Sequence, residues 1–392
     1  MSNESTSELV VKSAPHITGI MSKTRIMQYT FAALLVITVV SAVLWWAVPC
    51  PTDAQLTTYT TLKNVWQMPL GAILLINALI AIGVAVGIDA LLHKVVSDSE
   101  SNLWSSAVFG LIVTLSFSLG VPAMAMGTGD VMPVATFTAP NAFVFIALIS
   151  MVGQVVFKKV QGVGGRKLVN PAAAAKFLIL LPFLFTLLLP KEHFASTAVG
   201  GVGTPLLAGP IGGGIAAIGN NGMGSFSSYL QSCYANPAAT APLDVNILMI
   251  LEKFHGWPGG ASSLLVIIVG IALFAIGRKY FKWKVTVAYF ASIVIMSVLM
   301  STIYADSDLV TRLLFEVFIG SSIFLGFFMA TDPATTPLTS IGQIIFGVGL
   351  GVMTILIQTY MNFFGGSLLA LLIMNLTVPL LDRVGIHKPF GR

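Results

Sequence analysis

The sequence predicts an all-α integral membrane protein of about ten transmembrane helices arranged as two five-helix halves. Three observations carry that expectation. The 392 residues are 56% hydrophobic and only 9% charged, with a mean hydropathy of +0.91, whereas a water-soluble domain carries roughly 25% charged residues to cover its surface. Apolar stretches recur along the chain, and at about 20 residues per crossing ten of them fit its length. One long glycine-rich stretch then separates five crossings from five, an arrangement suited to an inverted repeat.

A polar tail of residues 1–25 opens the chain, and the apolar stretch behind it is too long for the core of a signal peptide, so no cleavable leader is expected. The first membrane half, 26–190, holds crossings near 26–49, 66–92, 103–121, 139–157 and 172–190. The stretch 191–258 is apolar nowhere for long enough to cross, and is crowded with glycines between Gly200 and Gly224. A connection of that length without its own structure is uncommon unless it has a function or is disordered. The second half, 260–381, holds crossings near 260–277, 285–304, 312–331, 342–360 and 366–381, and a short tail, 382–392, follows.

Charge orients these crossings. Fifteen of the 20 basic residues fall in the two tails and the even-numbered loops, among them Lys12, Arg25, Lys158, Lys167, Arg278 and Arg383. The opposite face has Lys63, Lys191, Lys253 and Arg312, and Lys176 stands inside a crossing. The positive-inside rule therefore puts both termini in the cytoplasm, with the chain in the cell membrane, surrounded by lipid. The net charge of +5 follows from this loop asymmetry. No basic run is interleaved with aromatic residues, so nucleic acid is not an expected partner.

Few residues offer metal or redox chemistry of their own. Cys50 and Cys233 have neither the number nor the spacing to hold a metal or cluster, and the five histidines are scattered. Ionisable groups inside crossings cost roughly 2.5–3.5 kcal/mol at a helix centre and are functional candidates by default. Asp89 and Lys176 lie near cytoplasmic ends, from which they are expected to snorkel. Glu316, about one turn into the eighth crossing from the outer side, is the candidate for an ion path.

Four stretches, in order, resemble the RnfD/NqrB family of membrane subunits. They are VVKSAPHITGIMSKTRIM at 10–27, GVGGRKLVNPAAAAKFLIL at 162–180, GFFMATDPATTPLTSIGQIIFGVGLG at 326–351 and LLIMNLTVPLLDRVGIHKPFG at 371–391. The third, close to the family's FFMATDPVTSP junction, is the longest and most specific. The resemblance implies an RnfD-type subunit of a complex that couples ferredoxin-linked electron transfer to Na⁺ or H⁺ movement. Its partners would be Rnf subunits carrying iron-sulfur clusters and flavin, with ferredoxin reached indirectly.

The resemblance also implies FMN, joined through its phosphate to a threonine hydroxyl on the outer side. The family's attachment pattern, D..SGAT followed by Pro-Leu, corresponds here to AVGGVGTPL at 198–206, which makes Thr204 the attachment residue. Ala198, Gly201, Val202 and Gly203 depart from the pattern. The family's GS.GETS stretch appears as GWPGGASS at 256–263, with Gly260 in place of Glu. A second, non-covalent flavin is also open. Asn170 before Pro171, and Thr331 with Asp332 before Pro333, read either as turn and cap residues or as contacts to a flavin or a partner subunit. A small-solute channel or carrier of urea-transporter-like fold, without flavin, remains the alternative.

Overall fold

The computed structural model describes residues 22–44, 46, 70–95, 102–117, 139–160, 167–187, 250, 257–278, 280–303, 309–318, 322–360 and 366–385. Every regular element among them is helical. In chain order these are α1 (Lys23–Leu44), α2 (Leu70–Val95), α3 (Leu103–Ser116), α4 (Ala139–Val152), α5 (Pro171–Leu187), α6 (Ser263–Ile276), α7 (Trp283–Ile303), α8 (Leu309–Phe318), α9 (Ser322–Phe324), α10 (Ser340–Tyr360) and α11 (Gly366–Leu381). The described helices fall on each of the ten apolar stretches. Four of them contain continuous segments long and apolar enough to cross a bilayer, Thr24–Leu44, Gly71–Val95, Trp283–Ile303 and Ser340–Gln358.

Burial runs opposite to that of a water-soluble bundle. Leu79 on α2 is 72% exposed, and Val43, Ile295, Leu376 and Leu380 are also outward-facing. Meanwhile Asn77, Ser106, Thr114, Gln154 and Asn375 are buried. Apolar side chains outside and polar side chains between helices suit a lipid surround, in which backbone groups are satisfied within each helix.

The helix ends have local causes. Asn102 caps α3, its side-chain oxygen accepting from Ser105 N–H at 3.1 Å, and Ser262 caps α6 through Leu265 N–H at 3.4 Å. Two helices end in widened, π-type turns: α4 continues through Gly153–Val160, three residues past its expected end, and α9 continues through Leu325–Met329. Such turns free carbonyls from the regular ladder and recur at functional sites. The eighth crossing, expected as one helix over 312–331, is described as α8 and then α9 with its π turn.

Packing joins α2 to α3 and α4 on one side, and α11 and α7 to α10 on the other. Gly347 permits the second of these: a Cβ there would sit 2.5 Å from the Val285 carbonyl oxygen. The two sides meet where α5 packs on α11, and where α1 contacts α6 and the 3₁₀ turn Pro258–Gly260. That meeting place positions the polar groups described next. Most of the glycine-rich stretch 191–258, and Thr204 with it, lies outside the described residues.

Candidate functional site

The widened turn after α9 leads into a polar junction at residues 330–340. Its backbone is held by its own side chains: the Thr331 hydroxyl donates to the Phe327 carbonyl at 2.7 Å. The Asp332 carboxylate accepts from Ala334 N–H at 3.0 Å, and the Thr336 hydroxyl donates to the Asp332 carbonyl at 2.7 Å. Lys282, just before α7, donates to the carbonyls of Pro333 at 3.1 Å and Thr336 at 2.8 Å. An Asp-Pro helix stop has become a knot of helix-end carbonyls tied by short side chains.

Asn170 joins this knot from the other half of the sequence. Its side-chain oxygen accepts from Ala172 and Ala173 N–H at 3.1 and 3.2 Å, capping α5. Its side-chain amide donates to the Met329 carbonyl at 3.3 Å, in the π turn. Its backbone N–H donates to Asn375 Oδ1 at 2.8 Å, and the Asn375 amide donates onward to the Thr335 carbonyl at 3.2 Å. The structure therefore brings Asn170, Thr331 and Asp332 into one junction. Asn375, Lys282 and Asp382, which accepts from Leu338 N–H at 2.8 Å, complete it. Sequence reasoning missed Asn375 because it was searching crossings for charges. A lone amide in an apolar helix was the available signal.

These side chains are engaged with protein groups. Both polar ends of Asn170 and of Asn375 have partners, and the Asp332 carboxylate is turned onto its own loop. Thr335 Oγ1 is the junction's buried polar atom without a partner. The junction therefore has little free hydrogen-bonding capacity for the edge of a flavin ring. Its geometry fits the fixing of helix ends. Thr204 lies outside the described residues, and Glu316 is buried on α8, where it engages a neighbour; α8 packs against α7 and α9.

The two other intramembrane charges do not snorkel. Asp89 is 1% exposed and pairs with Lys159 at 2.7 Å. It also accepts from Gln154 Nε2 at 3.2 Å and from Asn102 N–H at 3.1 Å. The Gln154 amide reaches Ser106 Oγ at 3.0 Å, which accepts from Lys158 at 2.8 Å. A short aspartate side chain cannot reach the membrane surface, so lysines at the end of α4 come to it. Lys176 is 8% exposed. Its ammonium turns inward to the Ser116 carbonyl and the Trp257 ring, 4.3 Å from the centroid. Among the described residues no group of His, Cys, Asp and Glu could hold a metal ion.

Four similarities bear on this geometry. The family described as NQR2, RnfD, RnfE matches residues 10–391. Over 386 residues the chain is 24% identical to the D component of the Na(+)-translocating ferredoxin:NAD(+) oxidoreductase complex of Acetobacterium woodii, covering 98% of this chain and 95% of that protein. It is 28% identical over 242 residues to the D component of an ion-translocating oxidoreductase complex of Stutzerimonas stutzeri, covering 60% of this chain and 66% of the relative. Against the B component of a Na(+)-translocating NADH-quinone reductase of Stutzerimonas stutzeri it is 25% identical over 250 residues, 63% of this chain and 56% of the relative.

Proposed function

We propose a function that proceeds from the family to which this chain belongs, the NQR2, RnfD, RnfE family. The chain is a membrane subunit of an ion-translocating Rnf/Nqr-type oxidoreductase complex, and within that group it is of the RnfD type. The single observation that carries the finer assignment is the near end-to-end similarity to the D component from Acetobacterium woodii, against partial coverage of the quinone-reductase relative. Ten crossings in two halves, with both termini in the cytoplasm, accommodate the helices described above and the charge sorting of the loops.

In this reading FMN is held as a phosphoester on Thr204, where neighbouring glycines let backbone N–H groups approach a phosphate. Bound there, FMN would supply one- and two-electron chemistry, while the protein sets its position and potential by hydrogen bonds and burial. Asn170, Thr331 and Asp332 fix the helix ends that frame the electron-carrying domain. The chain's two cysteines cannot ligate a cluster, so electrons from ferredoxin arrive through partner subunits that carry iron and sulfur. Moving one charge against about 100 mV takes roughly 2.3 kcal/mol, which the redox step supplies.

Ultraviolet fluorescence of the denatured chain in a gel tests the covalent assignment. Fluorescence that survives denaturation and disappears in Thr204→Ala is the expected result. Fluorescence retained by Thr204→Ala moves the attachment elsewhere. A complex purified in native form with no flavin in this chain overturns the redox reading, and favours a channel or carrier.

A further inference from the structure

We propose that Lys158 and Lys167 form a binding site for a phosphate-bearing anion at the bilayer surface, the level at which an anionic phospholipid presents its headgroup. The argument starts from the widened turn that ends α4. Gly153 opens that turn and leaves room for the Phe109 ring of α3. The turn then sets the Lys158 ammonium 5.7 Å from the centroid of the same ring, where it donates to Ser106 Oγ at 2.8 Å. The neighbouring Lys159 takes the carboxylate: it pairs with Asp89 at 2.7 Å, and Asp89 also accepts from Gln154 and from Asn102 N–H.

Lys158 is thereby left on a neutral hydroxyl, and the charge that acts on it most strongly is that of Lys167. The Lys167 backbone N–H donates to the Ala334 carbonyl at 3.0 Å, which fixes this second lysine just before α5. Neither ammonium has a carboxylate in ion-pair range among the described residues. The Asp332 carboxylate, also within electrostatic reach of Lys158, is turned onto Ala334 N–H. Both lysines stand between the fourth and fifth apolar stretches, outside the crossings. Burial first, and then the Lys167 ammonium, push Lys158 down from 10.5 to about 7; Lys159 adds to this, while Asp89 and Asp332 oppose it. Two half-buried ammoniums that repel each other without a counter-charge are the complement of an anion, which favours the charged form of both.

Depth in the membrane narrows the class of anion. At this corner α2 ends, α3 begins, α4 ends and α5 begins, so it lies at the edge of the hydrocarbon. Trp104, in the first turn of α3, is partly exposed, and such rings mark the headgroup level. Leu91, Val95 and Leu168 face outward on the same helix ends, which offers apolar surface to acyl chains. Basic pockets between membrane helices take phosphate headgroups, and lysine serves phosphate as a point charge.

The test places the purified full-length chain, with any subunits that accompany it, in bilayer discs of phosphatidylcholine with or without phosphatidylglycerol. A short pulse of acetic anhydride, read by mass spectrometry, gives the acetylation rates of Lys158 and Lys167 against Lys94, an exposed lysine at the end of α2. Phosphatidylglycerol is expected to slow Lys158 and Lys167 on the order of fivefold beyond any change at Lys94, the gain that one lysine brings near an anionic surface. In Lys167→Met the slowing at Lys158 is expected to fall to that at Lys94. An equal change at all three lysines overturns the proposal, because it reports only the surface potential of the bilayer. Slowing at Lys158 that survives Lys167→Met also overturns it. Inorganic phosphate added to the phosphatidylcholine discs separates the sources. Slowing by phosphatidylglycerol alone supports a lipid ligand, slowing by inorganic phosphate supports a soluble one, and slowing by neither overturns the site. If Lys167→Met does not elute as the wild type does, Lys167→Gln takes its place and is read in the same way. None of these outcomes requires flavin or redox activity, so they are separable from a failure of the family-level redox reading.

Discussion

The backbone N–H of Asn170 donates a 2.8 Å hydrogen bond to Oδ1 of Asn375, joining positions 205 residues apart. Through it the start of α5 is fixed to α11, and through the Asn375 amide both are fixed to the Thr335 carbonyl. Asn375→Ala strips a partner from each of two buried backbone groups, and each such loss costs about 1–3 kcal/mol. Thermal unfolding in detergent should show a clearly lowered midpoint. Paired with Asn170→Ala, the two losses should fall short of adding, because the residues share one network. Strict additivity would mean that the two amides act independently.

Asp89 leads to a second expectation. Asp89→Asn removes the ion pair with Lys159 and leaves one acceptor oxygen, enough for Gln154 or for Asn102 N–H but not for both. The loss should be smaller than the about 3–5 kcal/mol of a fully buried pair, since the Lys159 side chain is 22% exposed and keeps some hydration. The double variant Asp89→Asn with Lys159→Met should recover part of the loss, because no buried charge is then left alone. If the double variant unfolds earlier than Asp89→Asn, the lysine contributes through packing and not through the pair.

Two glycines provide a contrast within one type of substitution. Gly347→Ala places a methyl 2.5 Å from the Val285 oxygen and 2.8 Å from Ala288 Cβ, so α7 and α10 must separate. Overpacking of this kind costs about 1–3 kcal/mol. Gly83 on α2 has nothing within 4 Å of such a methyl. Gly83→Ala should be neutral, or stabilising by up to about 1 kcal/mol through helix propensity. Equal effects at both positions would contradict the close approach of α7 to α10.

The helices were legible because lipid imposes one simple demand, a long apolar run, and residues 283–303 and 340–360 meet it without interruption. The family was legible because motifs such as GFFMATDPATTPLTSIG mark positions where backbone must turn, and such positions constrain residue type. Partners across the fold were not legible. Asp89 reads as a residue near a helix end that can snorkel, until the π turn at the end of α4 brings Lys159 to it. Lys176 reads the same way, until α3 is seen to stop at Ser116. In both cases the deciding contact comes from a helix whose local geometry, a widened turn or an early end, leaves little trace in hydropathy. Asn375 was overlooked for a related reason: a neutral amide does not interrupt an apolar run, although its unsatisfied burial is costly.

Lys282 tests how locally the 330–340 junction is held. Its ammonium bridges the Pro333 and Thr336 carbonyls, tying the start of α7 to the turn between α9 and α10. Part of this contact is exposed, so Lys282→Met should remove less than the ~1.5–3 kcal/mol of a buried charged hydrogen bond and barely move the global unfolding midpoint. The local effect should be larger in proportion. Thr335 N–H, bonded to the Asp332 carbonyl at 3.2 Å, and Ala334 N–H depend on the turn keeping its shape, and their exchange with solvent requires only its local opening. Hydrogen exchange should therefore accelerate over residues 334–336 while α10 and α11 keep wild-type protection. Acceleration spreading through α10 would mean that Lys282 supports the helix packing as well as the turn. Unchanged exchange at 334 and 335 would mean that Thr331, Asp332 and Thr336 hold the turn without it.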